Sequence, residues 1–119
     1  MAFTNAAKEA AAKANFPDGS TTNAWISLHT ADPGTTGTGE ASGGSPAYAR
    51  KQTTWAGGAS DGSTVGSEVA FDVPSGTYTH VGIWSASTSG TFVGGFALSS
   101  SAVLGSQGIV RVTPTITVS

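Results

Sequence analysis

Two histidines and an aspartate are the first residues of this sequence whose types could support chemistry. His29 and Asp32 stand three residues apart in the segment SLHTADPG, and His80 lies in YTHVGIW. Two imidazoles and a carboxylate could hold a zinc ion, and a histidine with an aspartate could activate a serine nucleophile. These hypotheses compete with a structural interpretation, in which the same residues end a strand and begin a turn.

The turn chemistry favours the structural interpretation. Residues three apart on a strand point to opposite faces, so His29 and Asp32 can meet only if the chain bends between them. In ADPG, Pro33 suits the second position of a β-turn and Gly34 the third, and the Asp32 carboxylate can accept hydrogen bonds from the amides of the turn. We therefore expect a strand that ends with Leu28 in the core and a turn anchored by Asp32.

Other catalytic arrangements have weaker support. No serine lies in a G-x-S-x-G context, which is the usual setting of a hydrolase nucleophile. Glu68 and Asp72 share one face of a strand but are separated by about 13 Å, farther than the carboxylate pair of a glycosidase. The glycine pairs match no phosphate-binding loop. The sequence predicts no catalytic residue, no metal ligand and no cofactor.

Four large aromatic residues could contact a ligand or another subunit: Trp25, Tyr48, Trp55 and Trp84. Exposed aromatic rings can stack on sugars, and Trp and Tyr are frequent at interface hot spots. The sequence favours packing of the tryptophans in the core of a small domain or at a subunit interface, and a surface that binds sugars is the alternative.

The composition excludes several classes of partner. Charged residues make up 10% of the chain, the formal net charge is −2, and there is no cysteine. Five Lys and Arg residues are too few for a nucleic-acid interface, which needs clustered positive charge. No run approaches the roughly 18 apolar residues of a membrane span, and Lys8, Glu9 and Lys13 interrupt the place of a signal peptide. We expect no nucleic acid, no membrane and no secretion signal.

The N-terminal segment TNAAKEAAAKANF predicts the one clear helix, over 3–15. Alanine is the strongest helix former, Thr4 or Asn5 can cap the start, and PDG at 17–19 ends the segment. The apolar side should contain Phe3, Ala7, Ala10 and Ala14.

From Asn23 onward the apolar residues alternate with a period of two, which is typical of half-buried strands. AWISLHT, SEVAFDV and IVRVTPTITVS show the pattern, and AYARKQTTW at 47–55 shows it weakly. TYTHVGIWSA and TFVGGFAL predict a hairpin, and Pro114 should lie at an edge or a bulge. Segments 32–46 and 56–66 have loop composition, and loops of such length are usually functional or mobile.

About seven short strands with glycine-rich turns predict a single mainly β domain over 1–119. The expected fold is an antiparallel β-sandwich, jelly-roll or immunoglobulin-like, with strands over 23–119 and a short N-terminal helix.

Several motifs in the same order resemble a family of small structural proteins of tailed bacteriophages, commonly described as minor tail or tail fibre proteins. The shared elements are L-H-T-A-D-P, G-G-x-x-Y-A-R, T-H-x-G-[IL]-[WF] and a final alternating strand. Here they correspond to Leu28–Pro33, Gly43–Arg50, Thr79–Trp84 and Ile109–Val118. The first motif, with the glycine after it, contains Leu28, His29, Thr30, Asp32, Pro33 and Gly34. The second motif carries an additional Ser-Pro in this chain.

The resemblance implies a non-enzymatic virion protein assembled in the host cytoplasm. It implies contacts with other virion proteins and with copies of the same chain, three by the usual symmetry of such proteins. A minor tail component is the first prediction and a capsid decoration protein the alternative. A carbohydrate-binding adhesin that uses the tryptophans and loop 32–46 against a host glycan is a hypothesis of another class.

Overall fold

The structure is a computed structural model that describes residues 4–17, 19–57 and 63–117. Within these ranges the chain forms one helix and nine strands. They are α1 (Asn5–Asn15), β1 (Trp25–His29), β2 (Lys51–Gln52), β3 (Trp55–Gly57), β4 (Ser63–Gly66), β5 (Val69–Val73), β6 (Gly76–Trp84), β7 (Phe92–Leu104), β8 (Gly108–Val112) and β9 (Thr115–Thr117).

The strands form three antiparallel sheets. The four-stranded sheet has the order β2-β1-β6-β7, the three-stranded sheet β3-β4-β9, and β5 pairs with β8. The mainly β prediction with an N-terminal helix is confirmed, and the predicted hairpin is present as β6 and β7. The nine strands exceed the predicted seven or so. Six strand segments were named from the sequence; two of them, AYARKQTTW and IVRVTPTITVS, are each divided into two strands, and β4 arises within segment 56–66, which is not wholly a loop. Its ends belong to β3 and β4, and residues 58–62 lie outside the described residues.

The core lies between the four-stranded sheet and the two smaller sheets. Ile26 and Leu28 of β1 and Val81 of β6 are fully buried in one cluster with Phe71 and Val73 of β5. The period-two pattern of SEVAFDV is confirmed, since every second residue of β5 is buried. Burial of these aliphatic and aromatic side chains is the main favourable contribution to folding.

The helix packs through a different face from the predicted one. Thr4 caps the helix, and its hydroxyl accepts a hydrogen bond from the Ala7 amide at 3.2 Å. Glu9 and Ala12 are the buried residues of α1, whereas Ala7, Ala10 and Ala14 are exposed. The prediction was wrong because a helix rich in alanine has little apolar contrast between its faces. Phe3 lies outside the described residues.

The last alternating segment is two strands and not one. β8 pairs with β5, and β9 pairs with β4 in another sheet. Pro114 lies in the break and is fully buried, and its carbonyl accepts a hydrogen bond from the Gly66 amide at 2.7 Å. The proline ends the first ladder because it has no amide hydrogen to donate. Val118 lies outside the described residues.

Strand β1 is buried on both faces, which differs from the half-buried prediction. Ser27 and His29 point away from the core, yet both have no exposed surface. Segment 31–39 covers this outer face of the four-stranded sheet, with Pro33 and Gly37 buried against it. We call residues 31–39, which include the first part of loop 32–46, the cover segment. The cover segment and β1 enclose a group of polar side chains.

Candidate functional site

Residues from the three motifs of the sequence meet on the outer face of the four-stranded sheet. Ser27 and His29 come from β1, Trp84 comes from β6, and Tyr48 and Arg50 come from the segment before β2. Their side chains and Glu40 form one connected group, which we call the outer-face network. Strands β1 and β6 fix one half of it, and the turns at 31–39 and 85–91 supply the other half.

A chain of hydrogen bonds crosses the buried half of the network. The indole Nε1–H of Trp84 donates to Ser27 Oγ at 2.8 Å, and Ser27 Oγ lies 2.6 Å from His29 Nε2. His29 Nδ1 lies 2.8 Å from the Thr38 carbonyl oxygen. A carbonyl can only accept, so Nδ1 carries the proton and Nε2 accepts from the serine hydroxyl. With a neutral imidazole, each side-chain polar atom in this series of hydrogen bonds, from Trp84 through Ser27 to His29, has a partner.

An ion pair forms the other half of the network. Arg50 Nε donates to Glu40 Oε2 at 2.9 Å and Arg50 Nη2 donates to Glu40 Oε1 at 3.0 Å. The Tyr48 hydroxyl donates to the same carboxylate at 2.9 Å and accepts from the Leu28 amide at 3.1 Å. This bidentate pairing is the strongest geometry available to arginine and a carboxylate.

Arg50 also connects the pair to the β6–β7 turn. Its Nη1 donates to the carbonyl oxygens of Ala86 and Ser89, at 3.1 Å and 2.9 Å. The guanidinium carbon lies 3.7 Å from the centre of the Trp84 ring, and such a contact is attractive because the ring face is electron-rich. Trp84 therefore joins the two halves of the network.

The surroundings shift the pKa of three groups. Burial lowers the pKa of His29 from its ordinary value of 6.5, against an opposing effect of its hydrogen bond to Thr38. Burial acts to raise the pKa of Glu40, but the hydrogen bonds from Arg50 and Tyr48 outweigh it and leave the pKa below 4.5. Burial raises the pKa of the Tyr48 phenol. At neutral pH the network contains a neutral imidazole and a charged carboxylate.

The contact between Ser27 and His29 has the distance of a nucleophile and its base, but the surroundings fit a structural role. Both side chains are fully buried, so no substrate reaches the serine in this conformation. The third position of a triad is filled by a carbonyl and not by a carboxylate. Asp32 lies in the turn, where its Oδ1 accepts from the Gly34 amide at 2.8 Å, as the ADPG pattern predicts.

The two histidines are brought together, and Asp32 does not join them. His29 and His80 are opposite each other in the pairing of β1 with β6. His80 Nδ1 lies 2.8 Å from the Thr79 hydroxyl, and Asp32 is exposed. In the described part of the chain no three His, Asp or Glu side chains are grouped as metal ligands.

The four aromatic residues differ in exposure. Trp55 is fully buried, its ring contacts Phe16 edge-on at 5.0 Å, and its Nε1–H reaches the Thr22 carbonyl at 3.1 Å. Trp55 is therefore a core residue and not a surface for sugars or subunits. Trp84 is 9% exposed beneath Arg50, Tyr48 is half-buried against Phe71, and Trp25 is partly exposed.

A polar depression of about 350 Å³ opens beside the ion pair. Its walls contain Glu40, Tyr48 and Arg50 together with the exposed turn residues Ser87, Thr88 and Ser89. Ser89 has φ of 56°, a left-handed conformation that is uncommon for a residue other than glycine. The depression as a whole was not predicted, because Glu40 lies in a segment without periodicity; the signals for it were Tyr48 and Arg50 in the second motif.

We expect a side chain at position 82 to disrupt the network. A Cβ on Gly82 would overlap Ser27 Oγ and lie 2.6 Å from His29 Nε2, so Gly82→Ala should lower the free energy of unfolding by about 1–3 kcal/mol through overpacking. Gly105→Ala is the matched control, since no atom of the described residues lies within 4 Å of its Cβ. Urea denaturation measures both variants. In the double variant Ser27→Ala, Gly82→Ala the cost should be smaller than the sum of the single costs; strict additivity would contradict this packing.

We also expect stability to fall in mildly acidic solution because of His29. Its folded pKa lies below the unfolded value of 6.5, so the folded state binds fewer protons, and stability present above pH 6.5 is lost as the pH decreases through the folded pKa. The loss from Glu40 should come in a separate window below pH 4.5. Between pH 8 and pH 5, denaturation should show that the free energy of unfolding decreases as the pH falls. His29→Gln should remove this pH dependence, and His80→Gln should retain it. An unchanged slope in His29→Gln would contradict the assignment.

In the described ranges, no helix is long and apolar enough to cross a membrane. No curated protein and no solved structure matches the chain. The jelly-roll or immunoglobulin-like topology accordingly stays a prediction.

One protein family does match, and it covers nearly the whole sequence. Its model, described as podophage GP4 fiber I protein gp80, aligns with residues 3–118. That range contains β1, the cover segment and every residue of the outer-face network. The chain therefore belongs to the family of the podophage GP4 fiber I protein gp80.

Proposed function

We propose that this chain is a non-enzymatic structural component of the phage tail, a fibre-type subunit that binds copies of itself and other virion proteins. The observation that carries the proposal is the family match over residues 3–118. A phage fibre family implies a virion-associated structural protein. Tail placement, oligomer formation and the lack of catalysis are the finer parts of the proposal.

The outer-face network supports a structural role. Its reactive side chains, Ser27 and His29, are buried and paired with each other, and its ion pair holds a turn in place. These contacts stiffen a small domain, and stiffness is useful to a subunit that transmits or resists force. The low charge also favours assembly, because few charged groups lose hydration when surfaces meet.

Light scattering and electron microscopy test this proposal. The purified full chain should have the mass of an oligomer, three copies by the resemblance to tail proteins, and an electron-microscopy map of the intact particle should contain it in the tail. Density on the head surface would replace the tail assignment with capsid decoration. A monomer at high concentration, absent from particles, would overturn the proposal.

Glycan binding at the host surface is a second candidate, favoured by the polar depression beside Glu40 and Arg50. The walls present hydroxyl groups and a carboxylate held in one orientation, and such groups can hydrogen-bond a sugar. This version uses the turn at 87–89 in place of Trp55, which is buried, and Trp84, which lies beneath Arg50.

Saturation-transfer NMR with fragments of the host surface polysaccharide tests the second candidate. Ser87→Ala and Thr88→Ala should weaken the signal, whereas Ser100→Ala, an exposed residue of β7 outside the walls, should leave it unchanged. A wild-type protein without signal, or equal signals in all three variants, would reject it.

A further inference from the structure

Strand β7 is an edge of the four-stranded sheet with unusual composition. It pairs with β6 on one side, and among the described strands none pairs with its other side. Its sequence FVGGFALSSSAVL contains no charged residue and no proline. Natural sheets usually protect such edges with lysine, proline, a bulge or a covering segment, because unpaired amides and carbonyls attract other strands.

Two irregularities in the pairing with β6 limit the regular part of this edge. The pairing steps from Tyr78↔Ala102 to His80↔Ala97, so residues 98–101 form a bulge, and it steps again from Ile83↔Gly94 to Trp84↔Phe92, which leaves Val93 without a partner. Between the two steps the pairing with β6 is regular. The exposed regular edge is therefore the segment 94–97.

Two grooves run along this part of β7, and residues within 111–116 form part of the wall of each. One groove of about 300 Å³ is lined by Phe16, Ile83, Val93 and Ile116, with Gly94 and Gly95 at its base. A second of about 340 Å³ lies between Phe96 to Ser99 and the residues 111–115. Val93, Phe96 and Leu98 are only half-buried along these grooves, so an added strand would remove apolar surface from water.

Gly94 also indicates that this part of the β7 edge is a contact surface. A glycine inside a strand is unfavourable unless a close approach requires it. Gly95 has such a reason, since its Cβ would lie 2.8 Å from the ring of Pro33, and Gly82 has one in the network. No described residue lies within 4 Å of a Cβ at Gly94. Within the described ranges no contact therefore requires glycine at this position.

We propose that the edge of β7 at residues 94–97 is the contact with a second copy of this chain, which adds a strand there. The inference rests on the oligomer of the proposed function and names its surface. No Asp, Glu, Lys or Arg occurs from Val73 to Val110. Among the described residues, the one charged side chain in the groove walls is Arg111, which is paired with Glu68 at 3.7 Å. A charged partner would therefore find little complementary charge at this edge. An uncharged strand of an identical copy meets the edge without like-charge repulsion, and β7 and β9 are both strands of this kind.

A charged residue at the edge tests the contact. Gly94→Lys adds a side chain where the described residues leave open space, so the monomer should fold, and the dissociation constant of the oligomer should rise at least about tenfold. Gln52→Lys adds the same charge to an exposed residue of β2, the opposite edge of the same sheet, and should keep the wild-type mass. Light scattering gives the masses, and circular dichroism checks the fold.

Amide hydrogen exchange gives a second readout. In the wild-type oligomer the outward-facing amides of residues 94–97 should be protected, and in Gly94→Lys they should exchange as unpaired amides. An oligomeric Gly94→Lys with unchanged protection would overturn this inference and leave the proposed function intact. A monomeric wild-type chain would overturn the oligomer itself.

Discussion

The structure depends on β1, a strand that is buried on both faces and carries polar side chains on the outer one. Ser27 and His29 lie on the side of β1 that faces away from the core, and neither is exposed. A buried polar group without a partner is costly, so each must find its hydrogen bonds inside the protein. The Thr38 carbonyl and the Trp84 indole supply them. The cover segment, β1 and β6 therefore stabilise one another, and glycine at position 82 leaves the room that the two side chains need.

Arg50 extends this interdependence to the β6–β7 turn. Its guanidinium is bound by Glu40, by two turn carbonyls and by the face of Trp84, so this pair works within the chain and is little exposed to solvent. From Val73 to Val110 the chain has no residue of Asp, Glu, Lys or Arg. The hairpin that Arg50 holds is thus an uncharged surface on a rigid support, which suits contact between subunits better than recognition of a charged ligand.

The sequence predicted the elements whose signal is local. The hairpin of β6 and β7, the alternation in β5 and the turn after Asp32 each follow from neighbouring residues. The predicted buried face of the helix was wrong because alanine occurs on every side of the helix and gives no contrast in hydropathy. The prediction of a single last strand was wrong because the chain passes into another sheet at Pro114. The network could not be predicted, since Trp84 is 57 positions from Ser27 and Arg50 is ten from Glu40. Hydrophobic periodicity contains no information on contacts between residues so far apart in the sequence.

The comparison between Ser27–His29 and a catalytic pair shows why residue types alone are weak guides to function. A base must exchange protons with a substrate, but this imidazole is closed from solvent, and burial lowers its pKa. The motif residues His29 and Trp84 instead hold buried hydrogen bonds, with Ser27 and the Thr38 carbonyl as their partners. In this chain the motifs therefore describe how the outer face of the sheet is covered, and not a reaction.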